Sequence, residues 1–131
     1  MTYEARTPSD EPDAIAPDGL EVRLLMELEG ASMASVTVPP HGVGKAAMHR
    51  TVDEMWHFIS GEGEIWLADA ERADVISARP GTSVSLPLGT RFQARNLGAQ
   101  PLTAVVVTVP PWPGAHEAVV VEGAWPPTLE A

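Results

Sequence analysis

Glycine and proline divide this chain into short segments, and this limits the folds it can adopt. The 131 residues include 11 Gly and 13 Pro, and no segment shows the 3.6-residue apolar stripe of a helix of three turns or more. Between the breaks, short runs rich in Val, Ile, Thr and Trp are typical of β-strands bounded by turns. We predict eight strands, at 22–28, 32–38, 54–60, 64–68, 74–78, 83–86, 91–96 and 102–109. Their regular spacing predicts an all-β sandwich or closed barrel.

Charge and composition argue against several classes of partner. Eighteen acidic residues stand against eight basic ones, for a formal net charge of -10. Such a chain is a poor ligand for nucleic acid, where Lys and Arg must neutralise phosphates, and for anionic membrane surfaces. No apolar run reaches the roughly 18 residues of a membrane span, and the N-terminus lacks the pattern of a secretory signal. Cysteine is absent, which excludes disulfides and thiolate metal sites. We therefore expect a cytoplasmic protein that binds neither nucleic acid nor a membrane.

The chain length predicts one domain with two terminal extensions. Residues 1–19 are rich in Pro, Asp and Glu, a composition that predicts a flexible or docked N-terminal arm. Residues 20–109 form the predicted barrel. Residues 110–131 combine prolines with Trp112 and Trp125, and Pro-rich chain cannot extend the interior of a sheet. We expect this segment to be a strap that packs on the barrel or on a partner subunit.

Two segments within the predicted barrel have spacings that form a paired signature. In the first, four residues separate Gly44 from His49, and six residues separate Glu54 from Gly61. The second segment carries five spaced positions: Gly81, Pro87, Gly89, Phe92 and Asn96.

These segments resemble the paired motifs of the cupins, small β-barrels that often hold a metal ion. The resemblance covers about residues 42–109 and implies a double-stranded β-helix, the jelly-roll type of barrel, with an interior pocket. In the family, the first motif supplies two His and one Glu, and the second motif supplies another His. Here only His49 and Glu54 remain, because Thr51 and Phe92 stand at the positions of the other two. The resemblance also implies a homodimer, since small cupins often pair.

The implied metal site is therefore degenerate. Two protein ligands rarely hold a divalent ion tightly, so we expect no bound metal, with His49 and Glu54 as residual candidate ligands. The alternative is that His41, His57 or Gln93 completes a site for Fe, Mn, Ni or Zn. On a regular strand, however, His57 faces away from Glu54, and Gln93 faces away from Phe92.

His49 and Glu54 are also the candidate catalytic residues. Imidazole titrates near neutral pH and suits proton transfer, and a paired carboxylate would orient the ring and raise its pKa. The alternative is a histidine hydrogen-bonded within the barrel and a solvent-facing Glu54. Trp56 and Phe58 are candidates to line the pocket by stacking on a planar or apolar ligand, with Thr51 and Phe92 at the motif positions beside them. The alternative for the aromatic pair is ordinary packing.

Three hypotheses about function follow, and the fold alone does not choose among them. The first is a protein that binds a small molecule and performs metal-independent acid–base chemistry as an isomerase, cyclase or lyase. The second is a metal-dependent oxidoreductase or dioxygenase with an atypical ligand set. The third is a binding or sensing module without catalysis, so the sequence leaves open whether this protein is an enzyme.

Overall fold

The computed structural model describes residues 2–130 and places eleven β-strands in them. The eight predicted strands are present, with bounds that differ by at most one residue from those expected. The strands are β1 Ala14–Ile15, β2 Glu21–Glu27, β3 Ser32–Val38, β4 Ala46–His49, β5 Asp53–Ser60, β6 Gly63–Ala68, β7 Ala73–Ala78, β8 Ser83–Leu86, β9 Arg91–Asn96, β10 Leu102–Val109 and β11 Ala118–Val121.

The strands form two antiparallel sheets that face each other. One sheet has the order β1-β2-β3-β10-β5-β8, and the other has the order β11-β4-β9-β6-β7. Neighbours in the sheets are often distant in sequence, as where β10 lies between β3 and β5. This is the double-stranded β-helix that the motif resemblance implied, and the prediction of an all-β jelly-roll barrel is confirmed.

Period-two alternation of side chains creates the core between the sheets. On β5, Glu54, Trp56 and Phe58 are buried, and the residues between them are exposed. The partner strand β10 buries Ala104, Val106 and Thr108 in the same way. Register places Thr108 opposite Glu54, Val106 opposite Trp56 and Ala104 opposite Phe58. Polar side chains therefore enter the core only toward one end of this strand pair, where Glu54 meets Thr108.

A tight glycine turn joins β5 to β6. Gly61 has φ of 86°, in the left-handed region that favours glycine, and a Cβ at this position would lie 2.5 Å from the carbonyl oxygen of Pro101. Both the backbone conformation and the space require glycine here. This is the last position of the first motif, so its role in the signature is steric.

Segments near both ends of the chain contribute edge strands to the barrel. In the N-terminal segment, β1 pairs with β2, and Asp18 and Leu20 are buried. In the C-terminal segment, β11 pairs with β4, and the backbone N–H of Thr128 donates to Val43 at 2.8 Å. Residues 2–11 are exposed. Among residues 2–130, no helix is long and apolar enough to cross a membrane.

Candidate functional site

A buried ion pair lies between the two sheets. His49 ends β4 in one sheet, Glu54 lies near the start of β5 in the other, and His49 Nε2 is 2.8 Å from Glu54 Oε1. Both side chains are largely withdrawn from water, at 8% and 7% exposure. The three-residue connection between the two strands brings these residues face to face across the barrel, so the pairing follows from one tight turn.

Two further side chains hold the Glu54 carboxylate. Trp56 Nε1 donates to Glu54 Oε1 at 3.0 Å, and Thr108 Oγ1 donates to Glu54 Oε2 at 2.8 Å. Trp56 is two residues further along the same strand face, and Thr108 is the cross-strand neighbour. A buried carboxylate is stable when its oxygens accept several hydrogen bonds. Glu54 is thus fixed as an acceptor with both oxygens engaged.

The ring of Phe92 covers one face of the imidazole of His49. Phe92 on β9 stacks on His49 with ring centroids 5.4 Å apart and an interplanar angle of 14°. Trp56 meets Phe92 edge-on at 5.6 Å, an arrangement that aromatic pairs favour. The His49–Glu54 pair therefore has apolar rings on its inner side, and electrostatic interactions are stronger in such surroundings than in water.

A second carboxylate, Glu117, approaches the other nitrogen of His49. Glu117 Oε2 lies 3.7 Å from His49 Nδ1 and accepts the backbone N–H groups of Arg50 and Thr51 at 2.7 and 2.9 Å. The hydroxyl of Thr51 donates to Glu117 Oε1. Glu117 directly precedes β11, whose residue Ala118 pairs with His49. His49 Nδ1 itself is buried without a hydrogen-bond partner.

Asp18 brings a third carboxylate to the same end of the barrel. It lies just before β2, is only 6% exposed, and accepts the backbone N–H of Leu20 at 3.1 Å. Burial raises its pKa to about 6, an effect that the backbone hydrogen bond of Leu20 opposes and the charge of Glu54 reinforces.

The three carboxylates act together on His49. Burial by itself lowers the pKa of His49, but the hydrogen bond and charge of Glu54, with the charges of Glu117 and Asp18, raise it above its ordinary value. Burial alone would raise the pKa of Glu117, whereas the hydrogen bonds from Thr51 and Arg50 lower it below its usual range. The arrangement favours a protonated imidazole on His49 and an ionised carboxylate on Glu117.

A cavity of about 50 Å³ lies against this cluster. His49, Glu54 and Asp18 supply its polar wall, and the rest of the lining is mostly apolar. The other lining residues are Ala16, Pro17, Val22, Val36, Trp56, Phe92, Val106, Trp112 and Ala118. The cavity therefore combines a charged wall with aromatic and aliphatic walls, which is typical of a small-molecule site.

The residues predicted for the site fall into two groups. His49, Glu54, Trp56 and Phe92 all line the cavity. Phe58 is buried beside Trp56, with centroids 6.1 Å apart, but it belongs to the core behind the cavity wall. Thr51 lies in the exposed turn after β4 and binds Glu117, away from the lining.

The three alternative donors lie outside the cavity. His57 faces outward and contacts Ser83, with Nδ1 2.7 Å from its Oγ. His41 occupies a turn with φ of 59°. Gln93 is buried on the opposite face of β9, where its amide binds Gly44 and the C-terminal segment. None of the three reaches His49 and Glu54.

Sequence reasoning missed Asp18, Glu117 and Trp112, which complete the site from the two terminal segments. All three lie outside the paired motifs. The clearest available signal for Glu117 was its place just before the apolar run 118–121, which forms a strand beside β4. Asp18 stands among several other acidic residues, and nothing in its sequence context separates it from them.

The donor set does not fit the metal that the family often carries. Both oxygens of Glu54 accept hydrogen bonds from Trp56 and Thr108, and the Phe92 ring stacks on His49 at the position of the missing ligand. Within residues 2–130, no group of three or more His, Cys, Asp or Glu side chains is arranged to hold a metal ion. We therefore derive no chemistry through a metal here.

Comparisons with known proteins agree with this architecture. Residues 34–108 match the cupin domain family. An uncharacterised conserved protein with a double-stranded β-helix domain from Klebsiella pneumoniae has 19% identity and a TM-score of 0.65, with 91% of each chain covered. TT1209 from Thermus thermophilus has 20% identity and a TM-score of 0.61, with 76% of this chain and 90% of that chain covered.

A larger enzyme contains a similar barrel. Oxalate decarboxylase from Bacillus subtilis has 20% identity and a TM-score of 0.69 over 86% of this chain, which corresponds to only 30% of that enzyme. Oxalate decarboxylase has Mn(II) centres. At this identity the likeness shows a shared fold alone. A search of curated protein sequences gives no match.

The chain is therefore a small cupin. The family match covers more than half of the chain, and both sheets have the arrangement of a double-stranded β-helix. Its own site differs from the family's usual metal-binding set, because Phe92 and Thr51 replace donors and two carboxylates from the terminal segments approach His49 instead.

Proposed function

We propose that this cupin binds a small, mostly apolar molecule in the cavity and transfers a proton to or from it with the His49–Glu54 pair, without a metal. The observation that carries the proposal is a buried, hydrogen-bonded His–Glu pair in the wall of an otherwise apolar cavity. Many isomerase, cyclase and lyase reactions proceed by such a transfer.

The role of each residue follows from its contacts. The carboxylate of Glu54 is held by Trp56 and Thr108, so it acts as a fixed partner that orients the imidazole and stabilises its protonated form. His49 is the group that exchanges the proton. Phe92 and Trp56 exclude water and present ring surface to the apolar part of the ligand.

Ligand-observed NMR tests the binding step. We would screen neutral, cationic and anionic fragments of a few heavy atoms against the full chain and against Ala118→Leu, which fills the cavity without removing a charge. The matched control is Ala73→Leu on exposed β7. We expect hits that bind the wild type and Ala73→Leu but not Ala118→Leu. Binding that Ala118→Leu leaves unchanged would place the ligand elsewhere.

Deuterium exchange tests the chemical step. In D₂O, a proton-transfer catalyst exchanges ligand C–H positions, and we expect His49→Gln to abolish that exchange while ligand affinity changes less than tenfold. Exchange that persists in His49→Gln contradicts the role of the imidazole. Cavity binding with no exchange in the wild type would make this cupin a binding module.

Metal analysis tests the metal-free character of the chemistry. We would measure transition metals in the purified, untagged chain by plasma mass spectrometry, before and after mild chelation. Substoichiometric metal and unchanged exchange activity after chelation support the proposal. A near-stoichiometric transition metal that activity requires would overturn it in favour of a metal-dependent oxidoreductase.

We also propose that two copies pair through the outward side of the first sheet. Met33, Val107 and Met55 form a cross-strand row there, and Val105 adjoins His57 in the next row. This outer face, built from β3, β10, β5 and β8, carries Asp53 as its only charged residue within the described strands, although the chain has 26 charged residues. A second copy of an acidic protein can approach this face without strong charge repulsion.

A further inference from the structure

Acidic side chains outnumber basic side chains beside the cavity. Asp18, Glu54 and Glu117 place three carboxylates around the single imidazole of His49, and all four residues are less than 9% exposed. Three acidic side chains therefore outnumber the one basic side chain in this buried cluster. Among the described residues that line the cavity, none is Lys or Arg. Buried charge that lacks a partner is unfavourable, so a positive ligand would stabilise this site.

The walls of the cavity suit the same kind of ligand. Trp56, Phe92 and Trp112 line it with aromatic rings, whose faces attract cations and also pack against alkyl groups. Val22, Val36 and Val106 add aliphatic surface. Aromatic rings combined with carboxylates are the usual chemistry for recognition of an organic ammonium ion.

One polar group at the cavity, the carboxylate of Asp18, remains open to a ligand. His49 lines the cavity as well, but its Nδ1 has Glu117 as its neighbour, 3.7 Å from Oε2. Asp18 also lines the cavity, and within residues 2–130 no side chain donates a hydrogen bond to its carboxylate. Buried polar groups are nearly always paired in native proteins. Asp18 can therefore accept a hydrogen bond from an N–H of a ligand.

We propose that the ligand of this cavity is a small organic cation, a protonated amine whose ammonium faces Asp18 and whose alkyl part packs against Trp56 and Phe92. This inference rests on the proposed function and names its ligand class. A volume of about 50 Å³ admits only a small molecule, because the pockets of drug-sized ligands are roughly 300–1,000 Å³. Carboxylate ligands are disfavoured because they would add negative charge.

A charge-matched titration tests the ligand class. The full-length ¹⁵N-labelled protein would be titrated with ethylammonium, ethanol and acetate at constant ionic strength, and the indole N–H signal of Trp56 would be followed. We expect saturable shifts with ethylammonium, shifts at least tenfold weaker with ethanol, and none with acetate. Saturable binding of acetate, or of ethanol at equal affinity, overturns the proposal.

Variants test the predicted contacts. Asp18→Asn keeps the acceptor for the Leu20 N–H and should weaken ethylammonium binding roughly tenfold. Phe92→Leu removes a ring face and should weaken binding several-fold. The exposed carboxylate control Asp69→Asn should bind as the wild type does. Equal affinity in Asp18→Asn and the wild type contradicts the assignment.

The outcomes separate this inference from the proposed function. Fragments that bind in the cavity and are blocked by Ala118→Leu, but are neutral or anionic, would leave the proposed function standing and reject the cation. Zn²⁺ binding in the absence of ethylammonium binding would also reject it, in favour of a metal ion. If no fragment of any charge binds, both proposals fail.

Discussion

At the scale of single residues, the site depends on how buried charges are paired. Glu54 accepts hydrogen bonds from the side chains of Trp56 and Thr108 and pairs with His49. Within residues 2–130, by contrast, the Asp18 carboxylate accepts hydrogen bonds only from backbone N–H groups. A carboxylate held by several donors is stable as an anion, but one that is buried with few donors is not. The two acids should therefore affect stability differently.

Asp18 makes the stability of the fold depend on pH. Its pKa rises from 3.8 to about 6 on folding, so the folded state holds this proton more tightly than the unfolded state. The contribution of Asp18 to the stability of the fold is fully present below pH 3.8, and it is lost as pH rises through about 6. We expect Asp18→Asn to remove that loss and raise the free energy of unfolding at pH 8 by about 2–3 kcal/mol, with little change at pH 4.

Urea denaturation at a series of pH values measures this effect. The exposed control Asp10→Asn should follow the wild-type profile. His49 also makes the free energy of unfolding fall as pH rises, because its pKa is raised in the folded state. Its contribution to stability is fully present below the ordinary pKa of histidine and is lost as pH rises through the pKa of the folded state. Most of this contribution should persist in Asp18→Asn, because Glu54 and Glu117 still raise the pKa of His49. Parallel profiles for Asp18→Asn and the wild type would contradict the assignment.

Phe92 stands where the family resemblance implies a histidine ligand. Its ring lies against His49, so an imidazole at this position would join His49 and Glu54 in one small volume. We expect Phe92→His to raise affinity for Zn²⁺ or Ni²⁺ at least tenfold by isothermal titration calorimetry. Phe92→Leu, which has no donor, is the control and should match the wild type. Unchanged affinity in Phe92→His would show that residue 92 cannot reach the ion.

At the scale of strands and segments, one buried amide attaches the C-terminal segment to the barrel. Gln93 Nε2 donates to the carbonyls of Gly44 and Trp125, both at 2.8 Å. Gln93 Oε1 accepts the N–H groups of Ala124 and Trp125 at 2.9 and 3.0 Å. The segment comes so close that a Cβ on Gly123 would collide with this amide. Arg95 supports the contact by lying over the Trp125 ring at 4.0 Å.

Replacing this amide should release the segment. Gln93→Met keeps the length of the side chain but removes all four hydrogen bonds, and we expect a loss of about 2–4 kcal/mol in the free energy of unfolding. Amide exchange at Ala124 and Trp125 should accelerate more than tenfold, as measured by hydrogen–deuterium exchange. The exposed control Gln100→Met should change stability by less than about 0.5 kcal/mol. Retained protection at Ala124 and Trp125 would contradict this role.

The strands themselves were predictable because they follow a simple period. On β5 the alternation of Glu54, Trp56 and Phe58 with exposed neighbours places every second residue in the core. The strand β4 was missed, because its four residues, Ala46–His49, are too short and too rich in alanine to show that period. Its position was decided by its partners β9 and β11.

At the scale of the whole molecule, charge and apolar surface are separated. The chain carries a net charge of -10, yet its outer face is apolar and nearly free of charge. We expect the wild type to sediment at twice the 13.9 kDa of one chain. Met55→Glu, at the centre of this face, should convert it to a monomer by charge repulsion and lost apolar contact.

Sedimentation equilibrium measures the change. Val75→Glu is the matched control, because Val75 on β7 is 51% exposed, close to the 56% of Met55, but lies on the other sheet. It should remain dimeric. A dimer that survives Met55→Glu, or one that Val75→Glu dissociates, would place the interface elsewhere.

The sequence by itself determined the strand content and the turn at Gly61. It also identified four members of the site, His49, Glu54, Trp56 and Phe92. These features are local, because strand period, turn geometry and motif spacing all depend on residues close together in the chain. The outward direction of His57 was also predictable from strand parity and is observed.

Only the tertiary structure decided which other groups surround the imidazole. Asp18, Glu117 and Trp112 come from segments far from His49 in sequence, and the barrel brings them together when β1 and β11 join the sheet edges. Such contacts leave no period or spacing in the sequence, because they depend on how the whole chain closes. Burial, likewise a property of the closed fold, then raises the pKa of Asp18 to about 6. The same closure places three carboxylates around one imidazole beside the cavity.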